Sequence, residues 1–347
     1  MTEGDYRAGI VGLGFIGAGD QVSGDRLGQN VSDLDGFHLQ ALQNHPAIDV
    51  VAGSSRDDGR RERFTARTRA NTYADWREML AKEQLDVVSV ATYAGPHADV
   101  TVACAEAGVK AVYCEKPMAT SVADCDRMID ACKTSGTLLV INHNRRFHPL
   151  YRRIAEFIKE GWLGDLITAH VNWGTGRLGN VGTHFFDALQ MVTGRNVLEV
   201  SATLDLAGKP DCRGDEFRDR GGWGMFRMEG GLIALFEAPD YSKSPAYIGI
   251  NAGEGQATID GSGVSITWWN GKKETWTVPE RNETSMDRAV AEIVDALQYG
   301  KPLYCDAGQS LRTLETIAAC HISHERQSQF VKLPLTGDDR MRVLNIA

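Results

Sequence analysis

A glutamate, a lysine and a proline close an apolar run about one third of the way along the chain, and they form the first candidate site for chemistry. Residues 109–113 are mostly aliphatic or aromatic, which is typical of a buried parallel strand, and Glu115, Lys116 and Pro117 come shortly after them. The triplet therefore lies at the carboxyl end of a strand, where open α/β sheets bind their ligands. Pro117 restricts the backbone of Lys116, so the segment that carries the amine is rigid. We call this triplet the Lys116 corner. A surface lysine before a turn proline is the alternative, and only partners elsewhere in the chain argue against it.

A predicted helix from Asn180 to Met191 carries the second group of reactive side chains. At helical spacing one stripe of this helix holds four residues, namely Asn180, His184, Asp187 and Met191. A separate apolar face holds Val181, Phe185, Ala188, Leu189 and Val192. Asn180 and His184 can therefore reach the same ligand. For the helix taken alone, a core histidine hydrogen-bonded to Asp187 is the better explanation.

A glycine-rich turn directly after the first predicted strand, Ala8–Val11, is the third feature. In this pattern the first glycine permits a tight turn, the second lets the backbone approach a pyrophosphate, and the third allows close packing. The amides and the dipole of the next helix attract phosphate. With 37 glycines a chance match is easy, but the position after the opening strand favours a dinucleotide site. The residues predicted to bind the cofactor here are Gly12, Gly14, Phe15, Ile16 and Gly17.

The tip of the second predicted strand, Ile48–Gly53, bears on the choice of cofactor. A site selective for NAD normally places Asp or Glu there, whereas this chain has Ser54, Ser55 and Arg56. A guanidinium can hold a 2′-phosphate bidentately, and a carboxylate would repel it. The sequence therefore favours NADP, with NAD possible. In the alternative, Arg56 only starts the next helix and one of two acidic residues serves the ribose, Asp57 or Asp58.

Strands and helices alternate with short connections up to residue 141. This pattern predicts right-handed crossovers, a doubly wound parallel sheet and a Rossmann dinucleotide-binding domain at residues 1–141. Thr92, Tyr93 and His97 follow another strand of this sheet, and we expect them near the nicotinamide half of a cofactor. Residues 18–37 interrupt the pattern with turn-forming residues, so we expect an insertion that serves as a lid or subunit contact, or an inert surface excursion.

A second α/β domain is predicted at residues 142–347. Eight segments with alternating polarity follow a helix at residues 150–159 and indicate a mostly antiparallel open sheet. Gly230-Gly231 and Asn270-Gly271 are typical of two-residue hairpin turns. Two closing helices, at residues 285–299 and 307–324, are expected to pack beside this sheet or back on the first domain.

The composition excludes several classes of function. A net charge of -9 without a local basic cluster argues against nucleic acid as a partner, and no apolar run of membrane-spanning length occurs. Seven cysteines without a CxxC pair predict reduced thiols in a cytoplasmic protein. His321 and His324 have no third ligand near them in the sequence, so no metal site is expected.

Together, the glycine turn, the Glu115-Lys116-Pro117 corner and the Asn180/His184 helix resemble the Gfo/Idh/MocA family of NAD(P)-dependent oxidoreductases over essentially the whole chain. The resemblance implies a Rossmann domain joined to an α/β domain whose open sheet often forms homodimers or homotetramers. It also implies activity on sugars, polyols or related carbonyl compounds, with catalytic roles for Lys116 and His184. The family usually has Asp where this chain has Asn180, and an amide cannot accept a proton.

The expected reaction moves a hydride between the cofactor and a carbon that bears a hydroxyl or carbonyl group. His184 is expected to accept the proton and Lys116 to stabilise the alkoxide, or Lys116 itself acts as the base. Glu115 is expected to anchor the Lys116 corner beside the cofactor. The residues expected to contact substrate are Lys116, Arg145, Trp173, Arg177, Asn180 and His184. Redox-neutral glycoside cleavage through transient oxidation and a non-enzymatic cofactor-binding regulator are the competing interpretations.

Overall fold

The chain forms two compact units in a computed structural model, which describes residues 5–22, 30–206, 211, 214, 216–240, 242–277 and 283–346. The first unit contains Met1–Ala119, Asp124–Phe147 and Arg281–Gly308, and the second contains Thr120–Ala123, His148–Glu280 and Gln309–Ala347. This division is not the same as the sequence-based one at 141/142, because Arg281–Gly308 groups with the first unit. The functions predicted for the two domains stay predictions.

The first unit is built on a six-stranded parallel sheet with the strand order β3-β2-β1-β4-β5-β6. This is the order of a doubly wound dinucleotide-binding sheet, and it confirms the predicted fold class. The strands are β1 Tyr6–Val11, β2 Ile48–Ser54, β3 Asn71–Tyr73, β4 Val87–Val90, β5 Ala111–Cys114 and β6 Leu138–Ile141. β4 and β5 are buried at every residue, as expected for strands that are covered on both faces.

The helices of the first unit include one from a distant part of the chain. They are α1 Phe15–Ala18, α2 His38–Asn44, α3 Asp58–Thr68, α4 Trp76–Lys82, α5 His97–Glu106, α6 Val122–Ser135, whose first two residues group with the second unit, and, much later, α9 Ser285–Tyr299. A reciprocal capping box of Thr284 and Asp287 starts α9, and Gly300, with φ 64°, ends it. Met286, Val290 and other buried residues of α9 join the same apolar core as α2. This late segment therefore completes the core of the first unit.

The second unit contains a nine-stranded sheet with the order β14-β13-β12-β11-β7-β10-β9-β8-β15. Its pairs are antiparallel except for β7 with β10, which agrees with the predicted mostly antiparallel sheet. The strands are β7 Leu166–Asn172, β8 Val197–Leu204, β9 Gly222–Met228, β10 Ile233–Ala238, β11 Tyr247–Ala252, β12 Gly255–Asp260, β13 Gly263–Trp268, β14 Lys273–Thr277 and β15 Val331–Lys332. Its helices are α7 Pro149–Lys159, α8 Thr183–Thr193, α10 Ala307–Glu325, which starts in the first unit, and α11 Asp338–Met341.

An aromatic cluster joins α8 to this sheet. The ring of Phe186 lies 4.9 Å from that of Phe226 and 5.1 Å from that of Phe236, and both contacts are tilted toward the edge-to-face geometry that aromatic pairs favour. All three rings are buried. The cluster fixes α8, which carries His184, against β9 and β10.

Two hairpins differ from the prediction of two-residue turns. The amide of Met228 donates to the carbonyl of Leu232, and that of Trp268 donates to Lys272, so each loop contains three residues. Gly231 and Gly271 have φ of 80° and 89°, which places a glycine in the left-handed conformation at the end of each loop. Three-residue loops of this kind are the common alternative to two-residue turns.

Residues 18–37 depart from regular helix where they are described, as expected for an insertion. α1 has only four residues, and a short 3₁₀ turn, Val31–Asp33, precedes α2. Residues 23–29 lie outside the described residues. Among the described residues, no helix combines the length and apolar character needed to span a bilayer.

Candidate active site

The glycine turn after β1 packs so closely that side chains cannot be added to it. A β-carbon placed on Gly12, whose φ is 101°, would lie 2.6 Å from the carbonyl oxygen of Ala91. One placed on Gly17 would lie 1.9 Å from the carbonyl oxygen of Gly12 and 3.1 Å from the side chain of Ala91. These distances are below van der Waals contact, so glycine is required at both positions. The turn is thereby held against the end of β4, and its shape fits the cradle that a dinucleotide needs.

The tip of β2 offers one exposed cation and one engaged carboxylate. Ser54 is buried, Ser55 is half-buried, and Arg56 is exposed. The side chain of Asp57 accepts the amide of Arg60 at 2.8 Å and caps the N-terminus of α3. Asp57 therefore has a structural task, which weakens the alternative in which it binds a ribose.

The carboxylate of Glu115 is the anchor of the Lys116 corner. It is 4% exposed, and its Oε1 atom is 3.0 Å from Nε2 of His38 and accepts a hydrogen bond from Nδ2 of Asn142 at 2.6 Å. Its Oε2 atom accepts the backbone amide of Lys116 at 3.3 Å. Burial acts to raise the pKa of Glu115, but the hydrogen bond and charge of His38, together with Lys116 and Asn142, lower this pKa to about 2. Glu115 is therefore ionised, and it fixes the backbone from which the Lys116 side chain extends.

The network behind Glu115 continues through buried side chains of α2, β4 and β5 and of the residue that follows β6. Nδ1 of His38 contacts the hydroxyl of Ser89 in β4, and the hydroxyl of Tyr113 in β5 donates to Oδ1 of Asn142 at 2.8 Å. His38, on α2, has no exposed surface. None of these partners was singled out from the sequence as part of the site. The available signal was a lone histidine at the start of α2.

His97 ties the Thr92 loop to the same corner. Its ring is fully buried, with Nδ1 2.9 Å from the carbonyl oxygen of Pro117 and Nε2 3.1 Å from that of Thr92. Burial lowers the pKa of His97, although the hydrogen bonds to the carbonyls of Thr92 and Pro117 act to raise it. Tyr93, beside it, is 46% exposed. The imidazole thus holds two of the predicted cofactor segments together, and a direct contact of His97 with the cofactor stays a prediction.

The segment that carries Asn180 and His184 is not one continuous α-helix. A π-helical turn spans Leu178–Gly182, and α8 starts at Thr183. The π turn changes the spacing between Asn180 and α8, whereas His184, Asp187 and Met191 all lie within α8 and keep their predicted helical spacing. Asn180 and Asp187 are buried, and His184 and Met191 are partly exposed. Oδ1 of Asp187 accepts the hydroxyl of Thr313 at 3.4 Å.

Asp219 holds the start of this helical segment. Its two carboxylate oxygens accept the backbone amides of Gly179 and Asn180, both at 2.7 Å. Burial raises the pKa of Asp219 to about 7, although these two hydrogen bonds and the charge of Arg177 act in the opposite direction. Asp219 was not identified from the sequence, because it lies far along the chain in a segment without regular secondary structure.

The remaining predicted substrate residues occupy different environments. Trp173 is 1% exposed, stacks on Phe185 at 5.0 Å between ring centres, and donates from Nε1 to the carbonyl of Gly176 at 2.6 Å. This is the environment of a core residue that supports the 174–177 loop. Arg177 is 4% exposed, with φ of 54°. Arg145 is half-buried in a 3₁₀ turn, Asn144–Phe147, of the first unit.

The predicted site residues fall into two sets, one in each unit. In the first unit, the carboxyl ends of β1, β2, β4 and β5 bring together the glycine turn, the β2 tip, the Thr92–His97 loop and the Lys116 corner. The second unit contains Trp173, Arg177, Asn180 and His184. Within the described ranges, no group of three or more His, Cys, Asp or Glu side chains is arranged to hold a metal ion.

Comparison with known proteins agrees with the Rossmann fold of the first unit. Residues 6–143 match the Gfo/Idh/MocA oxidoreductase family with its NAD-binding Rossmann fold. Inositol 2-dehydrogenase of Salmonella paratyphi B is 32% identical over 165 residues, which cover 47% of this chain and 44% of that enzyme. D-apiose dehydrogenase of Paraburkholderia graminis is 34% identical over 140 residues, 39% of this chain and 36% of that enzyme. The matches to these relatives thus span less than half of their length.

The whole fold also has counterparts among solved structures. An oxidoreductase domain protein from Kribbella flavida superposes with a TM-score of 0.79, covering 96% of this chain and 100% of that one at 20% sequence identity. At this identity the likeness concerns the fold. The match of residues 6–143, which is less than half of the chain, thus supports an NAD-binding Rossmann unit of this type, and the structural likeness shows the fold of nearly the whole chain.

Proposed function

We propose that the protein is an NAD(P)-dependent oxidoreductase that transfers a hydride between a nicotinamide cofactor and a hydroxyl-bearing or carbonyl carbon of a sugar, polyol or related compound. The observation that carries the proposal is the Lys116 corner, which lies at the same sheet edge as the glycine turn and is fixed by the buried Glu115 carboxylate. The names of the inositol and apiose dehydrogenase relatives support the substrate class.

In the proposed oxidation, the substrate carbon loses a hydride while its hydroxyl loses a proton. The bound nicotinamide supplies the hydride acceptor. Lys116 donates a hydrogen bond to the reacting oxygen and stabilises the negative charge that develops there. His184 takes the hydroxyl proton, a role that suits an imidazole because it titrates near neutral pH. Asn180 has no acid or base role, since a side-chain amide neither gains nor loses a proton at neutral pH and serves only as a hydrogen-bond donor and acceptor.

NADP is the proposed cofactor. Support comes from the exposed Arg56 guanidinium and from the engagement of Asp57 as a helix cap, which leaves the β2 tip suited to a 2′-phosphate. Replacement of Arg56 with Ala should weaken the binding of NADPH more than that of NADH, as measured by fluorescence titration. Equal weakening of both would remove the argument from the 2′-phosphate.

A homodimer or homotetramer in the cytoplasm is also proposed. The outer face of the nine-stranded sheet exposes apolar side chains, with Leu235 at 49% and Trp223 at 41%, on neighbouring strands. The six cysteines in the described ranges are buried free thiols, which suits a reducing compartment. Light scattering coupled to size-exclusion chromatography measures the oligomeric state, and replacement of Leu235 with Glu should lower it. A monomer in the unmodified protein would refute the assembly.

The central experiment assays inositols, aldoses, polyols, keto-sugars and glycosides with each nicotinamide cofactor. We expect a change in cofactor absorbance with at least one sugar or polyol. Replacement of Lys116 with Met should abolish this change while NADPH still binds. The matched control replaces Lys110, an exposed lysine paired with Asp86 at the other end of β5, and it should retain activity. Near-normal turnover of the Lys116 variant, or aglycone release from a glycoside without net absorbance change, would refute the proposal.

A further inference from the structure

The π turn that carries Asn180 depends on its surroundings for its shape. The carbonyl of Arg177 accepts the amides of Val181 at 2.8 Å and of Gly182 at 3.0 Å, and the second of these is the wide hydrogen bond of a π turn. Arg177 itself has φ of 54°, a left-handed conformation that costs free energy for a residue other than glycine. Such a conformation persists only where neighbouring groups hold it, and π turns occur frequently at functional sites. The residues that hold this turn therefore bear on the chemistry of the site.

Ile346 packs directly against this turn. A β-carbon placed on Gly179 would lie 2.5 Å from Cγ2 and 2.9 Å from Cβ of Ile346. Gly179 is not in the left-handed conformation, so the close approach of Ile346 is what requires a glycine at this position. The side chain of Ile346 is buried. The two residues thus fit each other, and Gly179 immediately precedes Asn180.

Residues 344–346 reach the π turn along a path that hydrogen bonds fix. The amide of Leu344 donates to the carbonyl of Thr120 at 2.7 Å, and the carbonyl of Asn345 accepts the amide of Arg218 at 2.9 Å. The side chain of Leu344 is also buried. All of these residues belong to the second unit. Ile346 is therefore held in place by the two residues before it.

Asp219, the residue after Arg218, provides a second support for the same turn. Its carboxyl group accepts the amides of Gly179 and Asn180, both at 2.7 Å. Ile346 fills the space beside the α-carbon of Gly179. The backbone that leads into Asn180 is thus fixed by one carboxyl group and one apolar side chain.

We propose that Ile346 is a positioning residue of the substrate site, because it fixes the π turn and thereby the direction in which Asn180 meets the hydroxyl groups of a sugar or polyol. The inference rests on the proposed function, in which Asn180 is a hydrogen-bond donor and acceptor. The donor and the acceptor of an amide are different atoms, so a rotated amide would offer a donor where the substrate needs an acceptor. A site that hydrogen-bonds a hydroxyl group discriminates against substrates that lack this group in the right place. Ile346 thus contributes to substrate selection through Gly179 and Asn180.

Hydrogen exchange measures the support of the turn without a substrate. Replacement of Ile346 with Ala should speed the exchange of the Gly179 and Asn180 amides by about tenfold or more, because loss of buried methyl groups lowers the free energy of local opening. The amides of β12, in the same unit, should not change, which distinguishes local opening from unfolding of the whole unit. Val343 is the matched control, since it is 69% exposed and lies three positions earlier, and its replacement with Ala should leave these rates unchanged.

Steady-state kinetics tests the link to the substrate, with the sugar or polyol on which the unmodified protein is most active. Replacement of Ile346 with Ala should raise KM about tenfold, the usual effect of one misplaced hydrogen bond, with kcat within about threefold and NADPH affinity unchanged. Replacement with Val, which removes a single methyl group, should raise KM less, and it takes the place of the Ala variant if that variant does not fold. A purely structural role would lower the amount of folded protein and leave KM unchanged.

Two results would overturn the role of Ile346 in substrate binding. One is unchanged exchange of the Gly179 and Asn180 amides, with or without a known substrate. The other is faster exchange with an unchanged KM, because the contact then only stabilises the turn. If the unmodified protein acts on no sugar or polyol, the proposed function and this inference fail together, whereas activity with an unchanged KM removes this inference alone.

Discussion

Replacement of Glu115 with Gln should destabilise the first unit at neutral pH and remove part of its sensitivity to acid. The carboxylate is buried, with His38 and Asn142 as partners, and its pKa falls from 4.5 to about 2 on folding. A pKa change of one corresponds to about 1.4 kcal/mol, so the ionised carboxylate contributes about 3 kcal/mol to the free energy of unfolding at pH 7.

The sign of the pH dependence follows from the direction of the pKa change. A carboxyl group whose pKa is depressed in the folded state stabilises the protein fully above its unfolded pKa of 4.5. This stabilisation disappears as the pH falls from 4.5 toward 2, because the native carboxylate becomes protonated. The difference between the unmodified protein and the Gln variant should therefore be largest at pH 5–7 and should vanish near pH 2.

Urea unfolding at a series of pH values, followed by circular dichroism, measures this difference. Hydrogen exchange of peptides from β5 and β6 assigns it to the first unit, since the two units need not unfold together. Glu78, which is exposed and pairs with Lys82 on α4, provides the control, and its replacement with Gln should change stability by less than about 0.5 kcal/mol. A Glu115 variant whose free energy of unfolding at pH 7 lies within about 1 kcal/mol of that of the unmodified protein, or a difference that does not change with pH, would refute the stabilising role of the ionised carboxylate.

Three further predictions concern the glycine turn and the second unit. Replacement of Gly17 with Ala should abolish binding of both nucleotides, because its methyl group would overlap the carbonyl of Gly12; the same change at Gly261, which has open space around it, should have no effect in the titration. In the unmodified protein we expect the free energy of unfolding to rise as the pH falls from above 7 toward 4, because the raised pKa of Asp219 favours protonation of the native state. Replacement of Asp219 with Asn should flatten this rise, which is measured by thermal unfolding between pH 5 and 8. Replacement of His184 with Gln should lower kcat by about a hundredfold or more with unchanged NADPH affinity, and equal loss of both would point to misfolding instead.

Elements with local signals were predicted accurately from the sequence. α9 begins and ends at the predicted residues, Ser285 and Tyr299, because the capping box and the terminal glycine both lie next to the helix. β4 and β5 were also located, with their ends shifted by one or two residues, because their continuous apolar runs have no helical period. The glycine turn was found because its spacing and the strand before it are both local features.

Features that depend on distant contacts were not predicted. His38 and Glu115 are 77 positions apart, so their pairing exists only once β5 and α2 are packed together. The π turn at Leu178–Gly182 was missed because a residue pattern with α-helical spacing does not reveal an inserted residue. β3, Asn71–Tyr73, escaped detection since three partly exposed residues do not show a clear alternation.

The contribution of α9 to the first unit has a consequence for how the protein matures during translation. The ribosome makes the six parallel strands first. α9, which completes the apolar core of the first unit, leaves the exit tunnel only after most of the second unit has been made. Until then, the apolar side chains of α2, including Leu39 and Leu42, lack their partners Val290 and Ile293. A nascent chain halted near residue 147 should therefore expose an apolar surface that chaperones recognise. A protein truncated at this residue should not form a stable fragment.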